Sequence, residues 1–577
     1  MLSIVAGIIF FIVFFTGLGL VFPYRLLRDD HKGKDLLAAF WVGLALAAAF
    51  LQVWHLFAPE GVASLLVLGA FSLAGWALNY RVLWGWLRVV SIRQWLALTA
   101  LTIVPLLLFT NQSIFGHPPV DHGMYHMQSV KWIGNFAIVP GLGNLHHRFA
   151  FNNSSFLLAA QINTGIFSGL AYYIIPALLI FTVTLRGFHL LYHLLRRDHH
   201  LALSDVYHLL LLPCALFFVV HADFAGYSPD IFIFALQAFL AGELIESFSL
   251  TEVRNAHLPR LLLRIVLISA LSVTVKLSAA VFSAACMLAV LVVFFWRCKA
   301  LDVKPLPFIA GMVGISAALV LPWLLRSVIL SGYLVYPSPL ISFNVLWKIP
   351  RDMVTPVAPI IHNWAMYGAG TPPDQTWLDS LRSWEGNLLR EVKLGGLGTI
   401  ALMLVMLALR LWNRRQTLEW QGPVAVFAVA ALGFVYWFFA APDFRFLGAV
   451  YWLLVISPLL LFYQQVLGLF RRLSPKLLLA LMLIAMLAWL RPLPVTEVNL
   501  NSLGSPPTEE SITAEYMLPG DPPTQTTRSG LLVYMANDSR QTGCWNEPLP
   551  CTRVNDFHPG LRLIDSMDMQ KGFTLLP

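Results

Sequence analysis

The stretch most able to do chemistry is Asp121-His122-Gly123-Met124-Tyr125-His126, which brings a carboxylate, a phenol and two imidazoles close together. Trp132 follows, and then Pro140-Gly141-Leu142-Gly143-Asn144-Leu145-His146-His147-Arg148. Asp121 and Tyr125 are four residues apart, so a helix starting here would carry both on one face. A carboxylate in this setting suits a general base that takes the proton of an acceptor hydroxyl. Tyr125, His126, His146 and Arg148 supply groups for a sugar and a phosphate, the arginine through charge-assisted hydrogen bonds. The plainer alternative is that Asp121 caps a helix in a solvated loop. His117, His122, His126, His146 and His147 crowd the same loop. Of these only His122 and His126 have a spacing suited to sharing a metal, and no metal or other cofactor is expected.

Further charges stand at the edges of apolar runs, where each is costly unless paired or hydrated. Asp230 closes the turn His221–Pro229, Lys276 divides two apolar runs, and Arg326 ends another. Lys276 and Arg326 could hold an anionic headgroup, Lys as a point charge and Arg as a fork. Equally, both could snorkel to the lipid surface. Asp230 reads as a binding residue or as a helix cap. Asp443 and Arg445, in Ala441-Pro442-Asp443-Phe444-Arg445-Phe446, read as sugar-binding groups or as a local ion pair. Glu243 and Glu246 are expected to snorkel or to pair with Arg254 and receive no role.

The elements that must position these groups follow from composition. Hydrophobic residues make up 58% of the chain and charged ones only 12%, with a mean hydropathy of +0.71. Soluble domains carry about 25% charged residues. Runs near the ~20 residues needed to cross a bilayer recur throughout, and in lipid they must be helices. Hence the expected fold is an all-α polytopic membrane protein with about fourteen spans. They begin with 2–22, 36–57, 62–80 and 95–110, continue through 166–185, 206–220, 231–248, 261–275, 278–296 and 308–325, and finish with 396–411, 424–440, 447–462 and 477–490. The net charge of +8 is spread in short clusters between spans, which argues for topology signals and against nucleic-acid binding. Arg25/Arg28/Lys32/Lys34, Arg81/Arg88/Arg93, Arg186/Arg196/Arg197 and Arg471/Arg472/Lys476 occupy alternate connections, whereas 58–61 and 222–229 hold no Lys or Arg. The positive-inside rule then puts the basic set in the cytoplasm and leaves both termini and the segments 111–165, 327–395 and 491–577 outside. Cys544 and Cys551 fall in the external tail and are expected to form a disulfide, while Cys214, Cys286 and Cys298 behave as small hydrophobes.

An Asp in the first large external loop, with Tyr four residues on and an amphipathic juxtamembrane stretch after it, resembles the GT-C superfamily of membrane glycosyltransferases. Pro322-Trp323-Leu324-Leu325-Arg326 followed by Ser331-Gly332-Tyr333-Leu334-Val335-Tyr336-Pro337 is similar to a motif of bacterial GT-C proteins, with Ser327 where Asn is usual. The run from Tyr125 to Leu145 also resembles uncharacterised bacterial multispanning proteins. The resemblance implies a polyprenyl-phosphate sugar donor, a glycan, lipid or protein acceptor, inversion at the anomeric carbon, and Asp121 as base. It adds Tyr336 to the binding residues and implies the bacterial plasma membrane, with the active site outside. On this reading residues 1–93 form a three-helix module and 94–325 a catalytic membrane module that includes the loop 111–165. A second external loop spans 326–395, the last helices 396–490, and a small mixed extracytoplasmic segment 491–577. The alternatives are an O-antigen-type polymerase or ligase working through Arg351, His362 and Arg382, or a lipid-linked oligosaccharide flippase.

Overall fold

The computed structural model describes residues 1–21, 32–81, 84, 91–116, 118–196, 201–221, 224–249, 257–301, 303–367, 397–398, 400–401, 403–405, 407–408, 419–472, 520–536, 543–566 and 568–575. It is mostly helical. In chain order the helices used below are α1 Leu2–Val21, α2 Lys32–Trp54, α3 Val62–Leu78, α4 Ile92–Phe115, α5 Met127–Asn135 and α6 Ser154–Ile162. Next come α7 Ala171–Arg196, α8 Leu203–His221, α9 Pro229–Ser249, α10 His257–Val275, α11 Ala280–Leu301 and α12 Pro305–Ser331. The set closes with α13 Val357–Tyr367, α14 Gln421–Ala440, α15 Val450–Leu460 and α16 Tyr463–Arg472.

Among the described residues nine helices are long and apolar enough to cross a membrane: α1, α2, α4, α7, α9, α10, α11, α12 and α14. Three shorter apolar helices cover Val62–Leu78, Leu203–Val219 and Val450–Leu460. These twelve coincide with twelve of the expected spans. The expected span 477–490 lies outside the described residues, as does much of 396–411. The expected break at Lys276 is present: this residue has extended backbone (φ −159°, ψ 129°) between α10 and the short turn Leu277–Ala279 that leads into α11.

Apolar helices gain little from burying one another in lipid, so close backbone packing has to hold them. In the first three helices glycine provides it. A Cβ on Gly43 of α2 would lie 1.7 Å from the Phe15 carbonyl oxygen, and one on Gly75 of α3 would lie 1.9 Å from that of Gly17. Ser72 Oγ and Trp76 Nε1 of α3 then donate to the Phe14 and Val13 carbonyls of α1, at 2.8 and 3.0 Å.

The described residues of the tail form short strands and one 3-10 turn, Val554–Asp556. β1 (Thr524–Thr526) pairs antiparallel with β2 (Leu532–Met535), β2 pairs parallel with β3 (Cys551–Thr552), and β4 (Leu561–Asp565) forms an antiparallel pair with β5 (Asp568–Leu575). Cys544 and Cys551 are joined, as their placement predicts. This unit sits on the first large loop: Phe573 N–H donates to the Pro140 carbonyl at 2.9 Å, and Thr552 Oγ1 to that of Leu145 at 2.9 Å. The residues with candidate chemistry therefore gather at one end of the bundle, around the C-terminal ends of α2, α4, α10, α12 and α14 and the start of α9.

The substitution Gly43→Leu should force α1 and α2 apart at a backbone contact. A destabilisation of about 1–3 kcal/mol is expected, seen as a lower midpoint of thermal unfolding in detergent. An unchanged midpoint would show that the three-helix contact is not tight.

Candidate functional site

After α4 the chain meets Pro118-Pro119, which a helix interior does not tolerate. It turns helical again at Asp121, whose backbone is already in the right-handed region (φ −58°, ψ −22°), and passes through a π-helical turn, His122–His126, into α5. The Asp121 side chain caps nothing. Its Oδ1 accepts from Arg148 Nη1 at 2.7 Å and its Oδ2 from Arg445 Nη2 at 2.8 Å. The plain capping alternative is thereby replaced by a carboxylate held between two guanidinium groups. Burial would raise the Asp121 carboxyl, but Arg445 and Arg148, aided by His126 and Lys276, outweigh it and hold it at about 2. Tyr125 is buried beneath the Arg148 guanidinium, 5.6 Å from its ring centre. The His126 ring lies 4.4 Å from that of Tyr125, and burial brings it down to about 3 against the opposing pull of Asp121 and Asp230. It is therefore a neutral imidazole at physiological pH.

A second carboxylate stands beside the first. Pro229 opens α9 at a position where its missing N–H costs nothing, and Asp230 follows in the first turn. Lys276 binds Asp230 Oδ1 directly, while Arg445 Nε lies 3.7 Å from Asp230 Oδ2. The Lys276 ammonium also rests 3.9 Å from the centre of the Phe446 ring. Its charge is thus met inside the protein by a carboxylate and an aromatic face, and not by snorkelling to headgroups. Asp443 and Arg445 do not form the local side-chain pair anticipated as one alternative. Asp443 Oδ1 accepts from the backbone N–H of Arg445 at 2.8 Å, and the guanidinium reaches across to Asp121 and Asp230. Burial raises the Asp443 carboxyl, with Arg445 opposing.

Arg326 is near this cluster but belongs to a pocket of its own, which it shares with Arg148. It is only 4% exposed. Its Nη1 bonds His55 Nδ1 at 2.6 Å and its Nε donates to Asn152 Oδ1 at 3.2 Å, so it too does not snorkel. Asn152 and Trp323 exchange hydrogen bonds with each other's backbone carbonyls, both at 2.6 Å, which fixes the loop onto α12. Tyr336 is buried against Phe151, with ring centres 5.7 Å apart. Ser327, where Asn is usual in the resembling motif, donates to the Tyr333 carbonyl at 3.0 Å and accepts from the Tyr336 N–H at 3.3 Å.

His146 is drawn to the tail rather than to Asp121. Its Nε2 lies 3.3 Å from Asp556 Oδ2, and His147 Nδ1 lies 3.2 Å from Oδ1 of the same carboxylate. These three ligand atoms are close enough to share a metal ion. However, His146 Nδ1 accepts from the Arg148 backbone N–H at 3.1 Å, so its proton belongs on Nε2, pointing at Asp556. That tautomer puts an N–H on Nε2 that makes no hydrogen bond among the described residues, and a metal ion there would have to displace its proton. At the other end of the bundle, Glu243 binds Arg264, and Glu246 lies 3.4 Å from Arg186. Arg254, the expected partner, lies outside the described residues.

Sequence reasoning assigned no role to His55, Glu60 or the tail residues Trp545 and Asp556. Trp545 packs on Gly123, its backbone N–H donating to the Gly123 carbonyl at 2.9 Å. Gln128 Nε2 donates to the Trp545 and Glu547 carbonyls, so the disulfide loop grips the turn that carries Asp121 from above and from the side of α5. The only available signals were a lone Glu in a short apolar connection and a Trp between two cysteines.

A family model described as a domain of unknown function (DUF8201) matches residues 1–452. The chain belongs to that family. No curated protein and no solved structure matches it. The family match takes in every member of the Asp121 cluster, from Asp121 itself to Arg445, while the strands of the tail lie beyond it.

Because the folded Asp121 carboxyl sits below its ordinary value of about 3.9, its ion pairs stabilise the fold fully above about pH 4 and lose their contribution as pH falls through 2. Asp121→Asn should lower stability by roughly 2–3 kcal/mol at neutral pH. The difference from wild type should stay constant between pH 8 and 5 and shrink only below about pH 4. Thermal unfolding in detergent across this range checks it; a gap that closes already at pH 6 contradicts the double arginine grip.

Proposed function

We propose that the protein is a GT-C-type membrane glycosyltransferase. In this reading it moves a sugar from a polyprenyl-phosphate donor to an acceptor hydroxyl on the extracytoplasmic face of a bacterial plasma membrane. The observation that carries it is the Asp121 carboxylate, held at the helix ends between Arg148 and Arg445 beside the Asp230–Lys276 pair. This arrangement offers both a proton acceptor and fixed cations at one end of the apolar helices, which supports a reading in which a lipid-linked phosphate reaches them.

The chemistry follows from these groups. Asp121 takes the proton of the acceptor hydroxyl as the acceptor oxygen bonds to the anomeric carbon. The bond from that carbon to the phosphate oxygen breaks, and its electron pair leaves with the phosphate, so the anomeric centre inverts. Preorganised cations stabilise the charge that develops on the leaving group. A carboxyl held at about 2 is a weak base by itself. An anionic donor corrects this: a phosphate drawn to Arg148 and Arg445 offsets the field that lowers Asp121, and the effect of burial, which raises it, gains weight. The base becomes stronger once the donor is bound. Tyr125 and neutral His126 line the same turn as sugar contacts.

Asp121→Asn keeps the shape and removes the base, so sugar transfer should fall about 10²–10⁴-fold. The measurement is release of radiolabelled sugar from polyprenyl-phosphate sugars by purified protein, wild type beside variant. Full turnover by the variant would remove Asp121 from the chemistry, and no turnover by wild type with any such donor would remove the transferase reading.

A further inference from the structure

We infer that the pocket bounded by the end of α2, α5, the loop 137–153 and the end of α12 is an oxyanion site that takes a phosphate group. It is lined by His55, Trp132, Arg148, Asn152 and Arg326, with apolar walls that include Ile133 and Phe149. Two N–H-bearing atoms of lining residues are buried without a hydrogen-bond partner among the described residues, Trp132 Nε1 and Arg148 Nε, and a third, His55 Nε2, has only a weak contact with the Phe136 backbone. Native proteins rarely leave buried polar groups unpaired, and each such group asks for an explanation.

All three are donors. Indole and guanidinium nitrogens can only donate. For His55 the tautomer is fixed by its neighbour: Arg326 Nη1, itself only a donor, lies 2.6 Å from His55 Nδ1, which must therefore accept. The neutral ring then carries its proton on Nε2. Asn152 places Oδ1 on Arg326 and Nδ2 on the Trp323 carbonyl. Two guanidinium groups with these N–H donors, beside the polar side chains of Ser129 and Asn153, call for a negatively charged acceptor, and a phosphate matches them in charge. A cation does not.

Glu60 lies beside the pocket. It is 2% exposed in the connection between α2 and α3, and both its oxygens lack a hydrogen-bond partner among the described residues. Burial pushes its carboxyl well above the usual range, with the Arg326 charge opposing. Arg148 links the pocket to the cluster already described, since its Nη1 is on Asp121 while the residue also lines the pocket.

The inference does not rest on glycosyl transfer, because any phosphate, free or carried by a lipid, satisfies these donors. It is tested with the full-length protein in detergent, by binding of ³³P-labelled inorganic phosphate and by its displacement with decyl phosphate. Saturable binding of either is expected. Decyl phosphate binding much more tightly identifies a lipid phosphate as the source, and equal binding identifies free phosphate. Trp132→Phe keeps an aromatic side chain, smaller than the indole, and removes its N–H, so it should weaken binding about tenfold or more while thermal unfolding confirms an intact fold. Asp121→Asn removes the carboxylate that competes for Arg148 and leaves the pocket's donors in place, so it should bind phosphate at least as tightly as wild type, whatever becomes of sugar transfer. Absence of saturable binding of both probes, or wild-type affinity in a folded Trp132→Phe, would overturn it.

Discussion

A charge at the end of an apolar helix must find an opposite charge, a dipole or water, and in this protein the need is met by long-range pairing. The Asp121 carboxylate takes one arginine 27 residues away and another 324 residues away. It thereby ties the first large loop both to itself and to the segment after α14. Asp230 does the same for α9 and the break before α11 through Lys276. Arg326 joins α12 to the end of α2 and to the loop through His55 and Asn152. Replacing any one of these groups by an apolar residue strands a buried partner, which is more damaging than the lost attraction alone. The polar end of the bundle is therefore a connected network, and its geometry determines which functional groups face one another.

The network also divides labour within a small space. Among the described residues Asp121 and Asp230 are paired with Arg148, Arg445 and Lys276, so an anion entering this cluster would compete with carboxylates for these cations. A few ångströms of guanidinium separate this paired cluster from a pocket that holds unspent donors. Arg148 is common to both, which gives the two regions a physical means of sensing each other's charge.

Much of the fold was legible in the sequence because crossing a bilayer imposes length and polarity on each helix. Twelve of the expected spans coincide with apolar helices, and the break at Lys276 was readable as one charge between two apolar runs. The candidate residues were legible for the same reason: charge is scarce here, so each one at a span end stood out. Their partners were not. Whether Asp121 caps a helix or holds two arginines depends on where α14 ends in space, and no spacing in the chain encodes that. The same holds for Glu243, whose partner is Arg264 on a neighbouring helix. The π-helical turn and the grip of the tail on Gly123 depend on contacts more than 400 residues apart, between Gln128 and Trp545 for instance.

That separation has a consequence for how the molecule comes into being. The turn carrying Asp121 is among the early parts of the chain to be synthesised, yet the strands and the disulfide loop that brace it are among the last. Long-range closures of this kind are slow, because loop entropy must be lost before any contact forms. A nascent chain can insert most of its helices and still lack the brace on its first loop. A chain in which the tail has not yet docked leaves the loop without the contacts of Trp545, Thr552 and Phe573.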